Sequence, residues 1–270
     1  TLVGGATMVL SSVWAMRQPA MTLALAYTPV MGLGTLTMFL GIGGEGAAIA
    51  VAAFLMVHAF YKASLFLMVG ILDKKAGTRE ADRLSGLGRA MPLTWLAAGL
   101  AAASMAGLPP FMGFIGKEAM YETGLHDAGV LAAFVIPAGI AANAMMIGIA
   151  GAVGLAPFTG ERRAAKAEPR DGPLAMWIGP AALAFGGLLL GVGATSWGHD
   201  FVGPMAASIA GHEVDAHLAL WHGPNLALLL SLATFALGGL IYLRLPAIRA
   251  WLIAAEAGPV GDRALSAAAK

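Results

Sequence analysis

The chain of 270 residues is too apolar for a soluble domain, because 59% of its residues are hydrophobic, 11% are charged and its mean hydropathy is +0.78. Soluble domains carry about 45–50% apolar and about 25% charged residues. The net charge of +1 gives no indication of nucleic-acid binding, and the absence of cysteine excludes disulfides and thiolate metal sites. An integral membrane protein is therefore predicted. Because the sequence begins at Thr1 inside an apolar run, we expect it to be part of a longer protein.

Seven stretches are apolar enough to be membrane helices, and all but a truncated first one reach the roughly 20 residues that cross a bilayer. Helices are predicted because unpaired backbone groups are too costly in lipid, and no stretch alternates as barrel strands do. The predicted fold class is an all-α polytopic membrane protein of about seven transmembrane helices. The stretches are 1–16, 23–43, 47–72, 92–124, 128–157, 174–196 and 225–247.

The basic residues support this number of spans. Two lysines fall within spans, and seven alternating spans place every other Lys and Arg on one side, whereas an even number would not. The other side carries Glu45, Glu122, Asp127, Asp200, Glu213 and Asp215. By the positive-inside rule the basic side is cytoplasmic, so the N-terminal end of this chain is predicted outside and the C-terminal end inside a bacterial inner membrane. The basic residues outside the spans are Arg17; Lys74, Lys75, Arg79, Arg83 and Arg89; Arg162, Arg163, Lys166 and Arg170; and Arg244, Arg249, Arg263 and Lys270.

The third span carries two titratable groups near its centre. His58 and Lys62 in "HAFYK" are four residues apart, so they lie on one helix face about one turn from each other. Three interpretations are open: a lysine that snorkels to the interface, a structural hydrogen bond inside a bundle, or a buried titratable site. A lysine held away from water can gain and lose its proton near neutral pH, and an imidazole already titrates there. The third interpretation is favoured, because snorkelling from mid-span is too long a reach.

The fourth stretch, 92–124, is predicted to be discontinuous. Pro109 and Pro110 break a helix and Gly107 adds backbone freedom, so a long half, a break near 108–112 and a short half are expected. Interrupted helices at membrane depth build ion sites in transporters. Lys117 lies on the short half with Glu118 beside it, either as a buried site or as an interfacial anchor.

The remaining polar residues give weaker signals. Asn143 is mid-span and is interpreted first as a helix-packing hydrogen bond, and Tyr27 opens a span that Pro29 is expected to kink. No cofactor motif or metal-ligand spacing occurs, so no cofactor and no metal are predicted. The external histidines are interpreted as solvated. They are His199, His212, His217 and His222.

Four stretches together resemble a known family. They are "LAYTPVMGLGTLTMFLG", "HAFYKASLFLMVGILDKKAGTRE", "LSGLGRAMPLTWLAAGLAAASMAGLPPFMGFIGKE" and "LALWHGPNLALLLSL". They are similar to the large subunit of Mrp-type multisubunit cation/proton antiporters. That large subunit belongs to a wider family that includes the antiporter-like subunits of respiratory complex I and membrane-bound hydrogenases. The resemblance runs over nearly the whole chain, and the "GILDKKAGTRE", "GFIGKE" and "LWHGPN" motifs favour the Mrp large subunit over its complex I relatives.

The resemblance implies how the chain is divided and which roles the basic residues within its spans have. The family has two inverted five-helix repeats, so 1–157 would be the second repeat with its first helix truncated. A cytoplasmic linker (158–173), two further helices (174–247) with an external loop (197–224), and a cytoplasmic tail (248–270) would follow. Lys62 would be the central-axis lysine, His58 its relay neighbour and Lys117 the terminal lysine. The implied partners are the other subunits of a hetero-oligomeric complex, the lipid bilayer, H⁺ and Na⁺, with K⁺ or Li⁺ left open.

One departure from the family pattern affects the proton path that the resemblance implies. Relatives carry "DLK" before the "LAY" motif, whereas this chain has "RQPAMTLALAY" with Thr22 at the lysine position. A hydroxyl can hydrogen-bond but cannot carry a proton charge. Three functions are therefore weighed: the proton-translocating half of a cation/proton antiporter, a membrane-arm component of a complex I-like oxidoreductase or hydrogenase, and a non-conducting scaffold half. The first is favoured, which makes the chain part of a secondary transporter and not an enzyme.

Overall fold

A computed structural model describes residues 1–163, 169–221 and 223–256, without the side chain of Glu256. Lys166, His222, Arg263 and Lys270, which enter the charge and histidine predictions above, lie outside these ranges. So do 164–168 of the predicted linker and 257–270 of the predicted tail.

The described residues form α-helices and short helical turns, joined by loops with two isolated bridges, Ala20 to Glu80 and Ser85 to Arg163. The predicted all-α fold class is confirmed. The helices are α1 (Leu2–Arg17), α2 (Met21–Leu40), α3 (Gly44–Ala76), α4 (Pro92–Met105), α5 (Met112–His126), α6 (Ala132–Gly154), α7 (Leu174–Val192), α8 (Ala194–Trp197), α9 (Gly203–Ala210) and α10 (Leu226–Glu256).

Five helices of the described chain, namely α2, α3, α6, α7 and α10, are long and apolar enough to cross a membrane. The other two predicted spans are α1, which has 16 residues, and the pair α4 and α5. Non-helical residues 106–111 separate α4 from α5, which confirms the break predicted near 108–112. The chain is therefore a multi-pass membrane protein with one discontinuous helix.

The last helix is longer than the sequence predicts, and two connecting segments contain ordered structure. The last helix continues to Glu256, past the predicted end of the span at 247, because Pro246 is accommodated inside it and apolar residues follow. The predicted external loop 197–224 contains α9, a short surface helix in the "FVGPMAASIAG" stretch. The first part of the predicted linker is bound to the segment after α3, since Ser85 and Arg163 exchange two backbone hydrogen bonds of 3.0–3.1 Å.

Contacts between distant segments define two ends of the bundle. At one end, here called the basic end, Arg249 of α10 pairs with Asp82 at 2.9 Å and donates to the Met16 carbonyl of α1 at 3.1 Å. At the opposite end, Asn225 donates to Glu122 at 3.3 Å. These contacts connect α10 to α1 and to the segment after α3 at the basic end, and the start of the α10 segment to α5 at the opposite end.

The helices pack around α3, which contacts α2, α4, α5 and α7. In α5, every residue from Met112 to Tyr121 is buried, and this helix of 15 residues, which carries Lys117 and Glu118, is not among the long apolar helices. A polar helix at membrane depth must face protein and not lipid, because its charged groups need partners. The central position of α3 and the enclosure of α5 place the predicted basic residues inside the bundle.

Candidate functional site

Lys62 is enclosed by helices and bonded to the main chain of α2. Its side chain is buried, and Nζ donates to the Leu25 carbonyl oxygen at 3.5 Å. That oxygen lacks its usual helical donor, because the residue four positions later is Pro29, which has no N–H. Thr28 donates its hydroxyl to the same oxygen at 2.8 Å. The proline predicted to kink this helix thus leaves the Leu25 carbonyl available as an acceptor for the buried Lys62 amine.

His58 lies one turn before Lys62 and is part-buried. Its Nδ1 is 3.0 Å from the Tyr61 hydroxyl oxygen, and its ring packs against the rings of Phe54 and Tyr61 with centroids 5.3 Å apart. A Cβ added at Gly32 of α2 would lie 2.9 Å from His58 Cε1, so only glycine leaves room for the ring there. The imidazole is therefore held in one position, next to a hydroxyl that can donate or accept a proton.

Lys117 is held by the break between α4 and α5. Its side chain is 4% exposed, and Nζ donates to the Gly107 carbonyl oxygen at 3.2 Å. Gly107 has φ = +71°, a left-handed conformation that a glycine adopts without strain. Pro109 and Pro110 follow in the same break, which leaves carbonyls at membrane depth outside regular helix. This burial disfavours the interfacial-anchor interpretation of Lys117.

The surroundings of Lys117 include an aromatic ring and a carboxylate. The centroid of the Phe235 ring of α10 lies 3.5 Å from Nζ, and that of the Phe114 ring lies 5.6 Å away. Glu118, also buried, accepts a hydrogen bond from Ser231 of α10. An ammonium group in this position has a carbonyl dipole, an aromatic face and an anion to stabilise it.

A small cavity adjoins Lys117 and the Tyr61 side of α3. It has a volume of about 20 Å³ and is lined by the polar residues Tyr61, Ser104, Lys117 and Asn143, together with glycines and apolar residues. A cavity of this size holds about one water molecule. Tyr61 in turn contacts His58, so a single water would bridge the His58 side and the Lys117 side.

The remaining predicted residues are distributed unevenly around this site. Asn143 donates to the Tyr121 hydroxyl at 3.4 Å, which is the helix-packing bond that was predicted, and also lines the cavity. Thr22 lies in the first turn of α2, one turn before Leu25, and no described hydrogen bond links its side chain to Lys62. Tyr27 packs against Trp14 of α1, with ring centroids 6.2 Å apart, on the side of α2 that meets α1.

Three residues of the site were not predicted from the sequence. Tyr61 could have been found, because it stands three residues after His58 and therefore shares its helix face. Phe235 and Ser231 carry no local signal, since a phenylalanine and a serine in an apolar helix are ordinary there. Together the site offers titratable groups, hydroxyls and room for a water, which is the chemistry needed to hold and transfer a proton.

A protein-family model described as "NADH:quinone oxidoreductase/Mrp antiporter, TM" matches residues 1–142. The chain is 30% identical to a Na(+)/H(+) antiporter subunit of Bacillus subtilis, over 91% of this chain and 34% of that protein. It is also 30% identical to a Rhizobium meliloti protein named for a K(+)/H(+) antiporter, over 96% of this chain and 26% of that protein. The chain therefore spans about a third or less of the length of these curated relatives.

Solved structures of an Mrp complex and of respiratory complex I are also similar to this chain. A chain of the Mrp complex from Dietzia sp. DQ12-45-1b is similar with a TM-score of 0.77 and 30% identity, over 96% of this chain and 30% of that one. A chain of respiratory complex I from Thermus thermophilus has a TM-score of 0.62 and 23% identity, over 77% of this chain and 43% of that one. The second likeness shows a shared fold.

Proposed function

The chain belongs to the NADH:quinone oxidoreductase/Mrp antiporter transmembrane family, and on that premise we propose that it is the proton-translocating part of a monovalent cation/proton antiporter subunit. Protons move through Lys62, His58 and Lys117 and drive the export of Na⁺ or K⁺. The names of the similar subunits support both cations.

One observation carries this proposal: two buried lysines each donate to a main-chain carbonyl at a helix interruption, and a small cavity adjoins one of them, Lys117. Lys62 uses the carbonyl that Pro29 leaves without an N–H donor, and Lys117 uses Gly107 in the break. A charge at the centre of a membrane helix costs about 2.5–3.5 kcal/mol on insertion scales, so a fold retains it where it has a function. Packing alone would be better served by apolar side chains.

The organisation follows from the same proposal. Residues 1–157 form the second antiporter-like repeat and 174–247 add two membrane spans, with the linker 158–173 between them. The part of α10 that continues past 247 to Glu256 belongs to the cytoplasmic tail. The basic end faces the cytoplasm of a bacterial inner membrane, and the partners are the other subunits of a hetero-oligomeric complex. The clustering of Arg249, Asp82 and the end of α1 supports this common orientation.

The test is Lys62→Ala in the complete antiporter complex, measured as cation-dependent proton movement in everted membrane vesicles. We expect antiport to fall to background while the complex assembles normally. Lys74→Ala is the matched control, because Lys74 is exposed near the end of the same helix. Wild-type antiport in the Lys62 variant would refute the assignment.

A membrane-arm component of a complex I-like oxidoreductase is the second candidate, because the matching family model covers both classes. In that case the same lysines would move protons only while electrons flow elsewhere in the complex. Vesicles supplied with a Na⁺ gradient and no electron donor separate the two functions, since an antiporter exchanges ions under those conditions and an oxidoreductase does not.

A non-conducting scaffold is the third candidate, and Thr22 favours it because a hydroxyl replaces the expected lysine. His58→Leu in the complete complex tests this candidate through the proton flux. A scaffold half would show wild-type flux, whereas a conducting half would lose it.

A further inference from the structure

One face of α10 follows the polar face of α5. Ser231, Thr234 and Phe235 have the i, i+3, i+4 spacing of a single helix face, and all three contact α5. Ser231 donates to Glu118, the Thr234 hydroxyl is 2.6 Å from the Tyr121 hydroxyl, and Phe235 covers the Lys117 amine. The last span of the chain therefore touches the polar groups of α5 nearest the break.

Beyond the break, α5 carries acidic groups towards the opposite end of the bundle. Lys117 and Glu118 are buried, Glu122 is partly buried and His126 is exposed. Glu118 and Glu122 are four residues apart, so their carboxylates lie on one face about one turn from each other. Glu118, Glu122 and His126, spaced four residues apart, thus follow one helix face from the buried residue next to Lys117 to the surface.

Each of the two carboxylates on this line is held by a residue from the α10 segment. Ser231 donates to Glu118 Oε1, and Asn225 donates its Nδ2 to Glu122 Oε1 at 3.3 Å. Asn225 also accepts from the Leu228 backbone N–H at 2.8 Å, which fixes the amide orientation at the start of the helix. Both residues belong to the "LALWHGPNLALLLSL" motif, to which the proton path through the lysines assigns no role.

The neighbouring hydroxyl pair has a different character. Thr234 donates its proton to the Leu230 carbonyl at 2.7 Å, so the Tyr121 hydroxyl must donate to Thr234 and accept from Asn143. Each hydroxyl proton in this network is already committed to an acceptor. The Tyr121 and Thr234 contact is therefore a structural link between α5 and α10, and it provides an internal comparison for the carboxylate contacts.

We propose that α10 forms one wall of the proton route between Lys117 and the membrane face at the His126 end of α5, with Ser231 and Asn225 as positioning residues for Glu118 and Glu122. This inference rests on the proposed function, because it assumes that Lys117 carries protons.

The transfers balance in charge and atoms. The Lys117 ammonium loses one proton as an N–H bond breaks, and the Glu118 carboxylate gains it as an O–H bond forms, which leaves a neutral amine and a neutral acid. Glu118 then passes the proton to Glu122 through water and becomes an anion again. Glu122 releases the proton to solvent, since it lies nearer the surface. Ser231 and Asn225 keep their own protons throughout and hold the two acceptors in line.

The experiment compares Ser231→Ala, Ser231→Thr and Thr234→Val in the complete antiporter complex reconstituted in proteoliposomes. We expect Ser231→Ala to lower the maximal antiport rate about tenfold per assembled complex, since a hydrogen bond to a charged group changes an equilibrium by about that factor. The KM for the cation should stay unchanged, and Ser231→Thr should restore the rate because it keeps the hydroxyl. Thr234→Val should keep its rate per assembled complex and lower only the amount assembled.

Asn225→Leu provides a second, independent variant near the surface, and the same loss of maximal rate is expected. Wild-type rates in both Ser231→Ala and Asn225→Leu, measured where Lys117→Ala abolishes antiport, would overturn the role of α10 and leave the proposed function intact. Wild-type antiport in Lys117→Ala would overturn the proposed function itself. A rate loss in Ser231→Ala that Ser231→Thr fails to restore also contradicts the inference.

Discussion

The two buried lysines bind the same kind of group, a main-chain carbonyl, but the side chains around them differ. Lys62 and Lys117 each donate to a backbone carbonyl that an irregular helix leaves available, one beside Pro29 and the other at Gly107. Near Lys62, the Thr28 hydroxyl donates to the same Leu25 carbonyl, and His58 lies one turn earlier on the same helix face. Around Lys117 there are a carboxylate and an aromatic face.

On the proposed function, these two surroundings suit different tasks in proton transfer. A lysine with only neutral partners can lose its proton without leaving an anion unpaired, which suits an internal relay. A lysine beside Glu118 has an anion that can take its proton, which suits exchange with the surface. Here the Lys62 station means Lys62 with Leu25 and His58, and the Lys117 station means Lys117 with Gly107, Glu118 and Phe235. Substitutions that affect one station and leave the other unchanged test this division.

The largest effect is expected from Gly107→Ala, which acts on the Lys117 station. A side chain at φ = +71° costs about 1–2 kcal/mol, and its Cβ would lie 3.2 Å from Lys117 Cε and Nζ. Antiport should fall close to background and the melting temperature should decrease. Gly99→Ala in α4, where an added Cβ meets nothing within 4 Å, should leave both unchanged.

Pro29→Ala acts on the Lys62 station and should separate activity from stability. The new N–H would bond the Leu25 carbonyl and compete with Lys62 for it, so we expect antiport to fall about tenfold. Thermal stability should rise, because a proline inside a helix costs about 3 kcal/mol. Pro137→Ala in α6 is the control and should raise stability without loss of transport. Equal transport in both variants would show that the Leu25 carbonyl has no role.

Gly32→Ala should give a smaller loss through His58. The added Cβ would lie 2.9 Å from the imidazole Cε1, and overpacking of this kind costs about 1–3 kcal/mol. A several-fold fall in antiport is expected as the ring shifts away from Tyr61. Gly70→Ala on α3, with open space around its Cβ, should match wild type. If both glycine variants transport equally well, the placement of His58 does not matter.

The smallest effect is expected from Phe235→Leu, which removes the ring over Lys117 and keeps an apolar side chain. A cation–π contact contributes about 0.5–2 kcal/mol, so a fall in antiport of a few-fold is predicted. Phe235→Tyr retains the aromatic face and should recover the rate. Identical rates in the leucine and tyrosine variants would mean that the ring serves only to fill space.

Much of the fold could be predicted from the sequence, because apolar stretches of bilayer length and the placement of Lys and Arg determine the spans. The break at Pro109 and Pro110 and the shared face of His58 and Lys62 are local properties, so spacing predicted them as well. The end of α10 could not be predicted from the apolar stretch alone, since the helix continues past residue 247 to Glu256 with Pro246 inside it.

The partners of the lysines could not be predicted in the same way. The bond from Lys62 to Leu25 depends on how α2 and α3 are rotated against each other, and no pattern within either helix fixes that rotation. Phe235 and Ser231 reach Lys117 and Glu118 only because α10 folds back onto α5. Helix periodicity predicts which face is apolar, whereas these contacts depend on which faces meet.

The most direct test of the proposed proton path is proton flux through proteoliposomes that hold the complete complex with Lys62→Ala or Lys117→Ala, driven by a Na⁺ gradient. Either substitution is expected to reduce flux to background at normal assembly, while Lys74→Ala leaves it at the wild-type rate. Flux at the wild-type rate in either of the two buried-lysine variants would contradict the claim that both stations lie on one proton path.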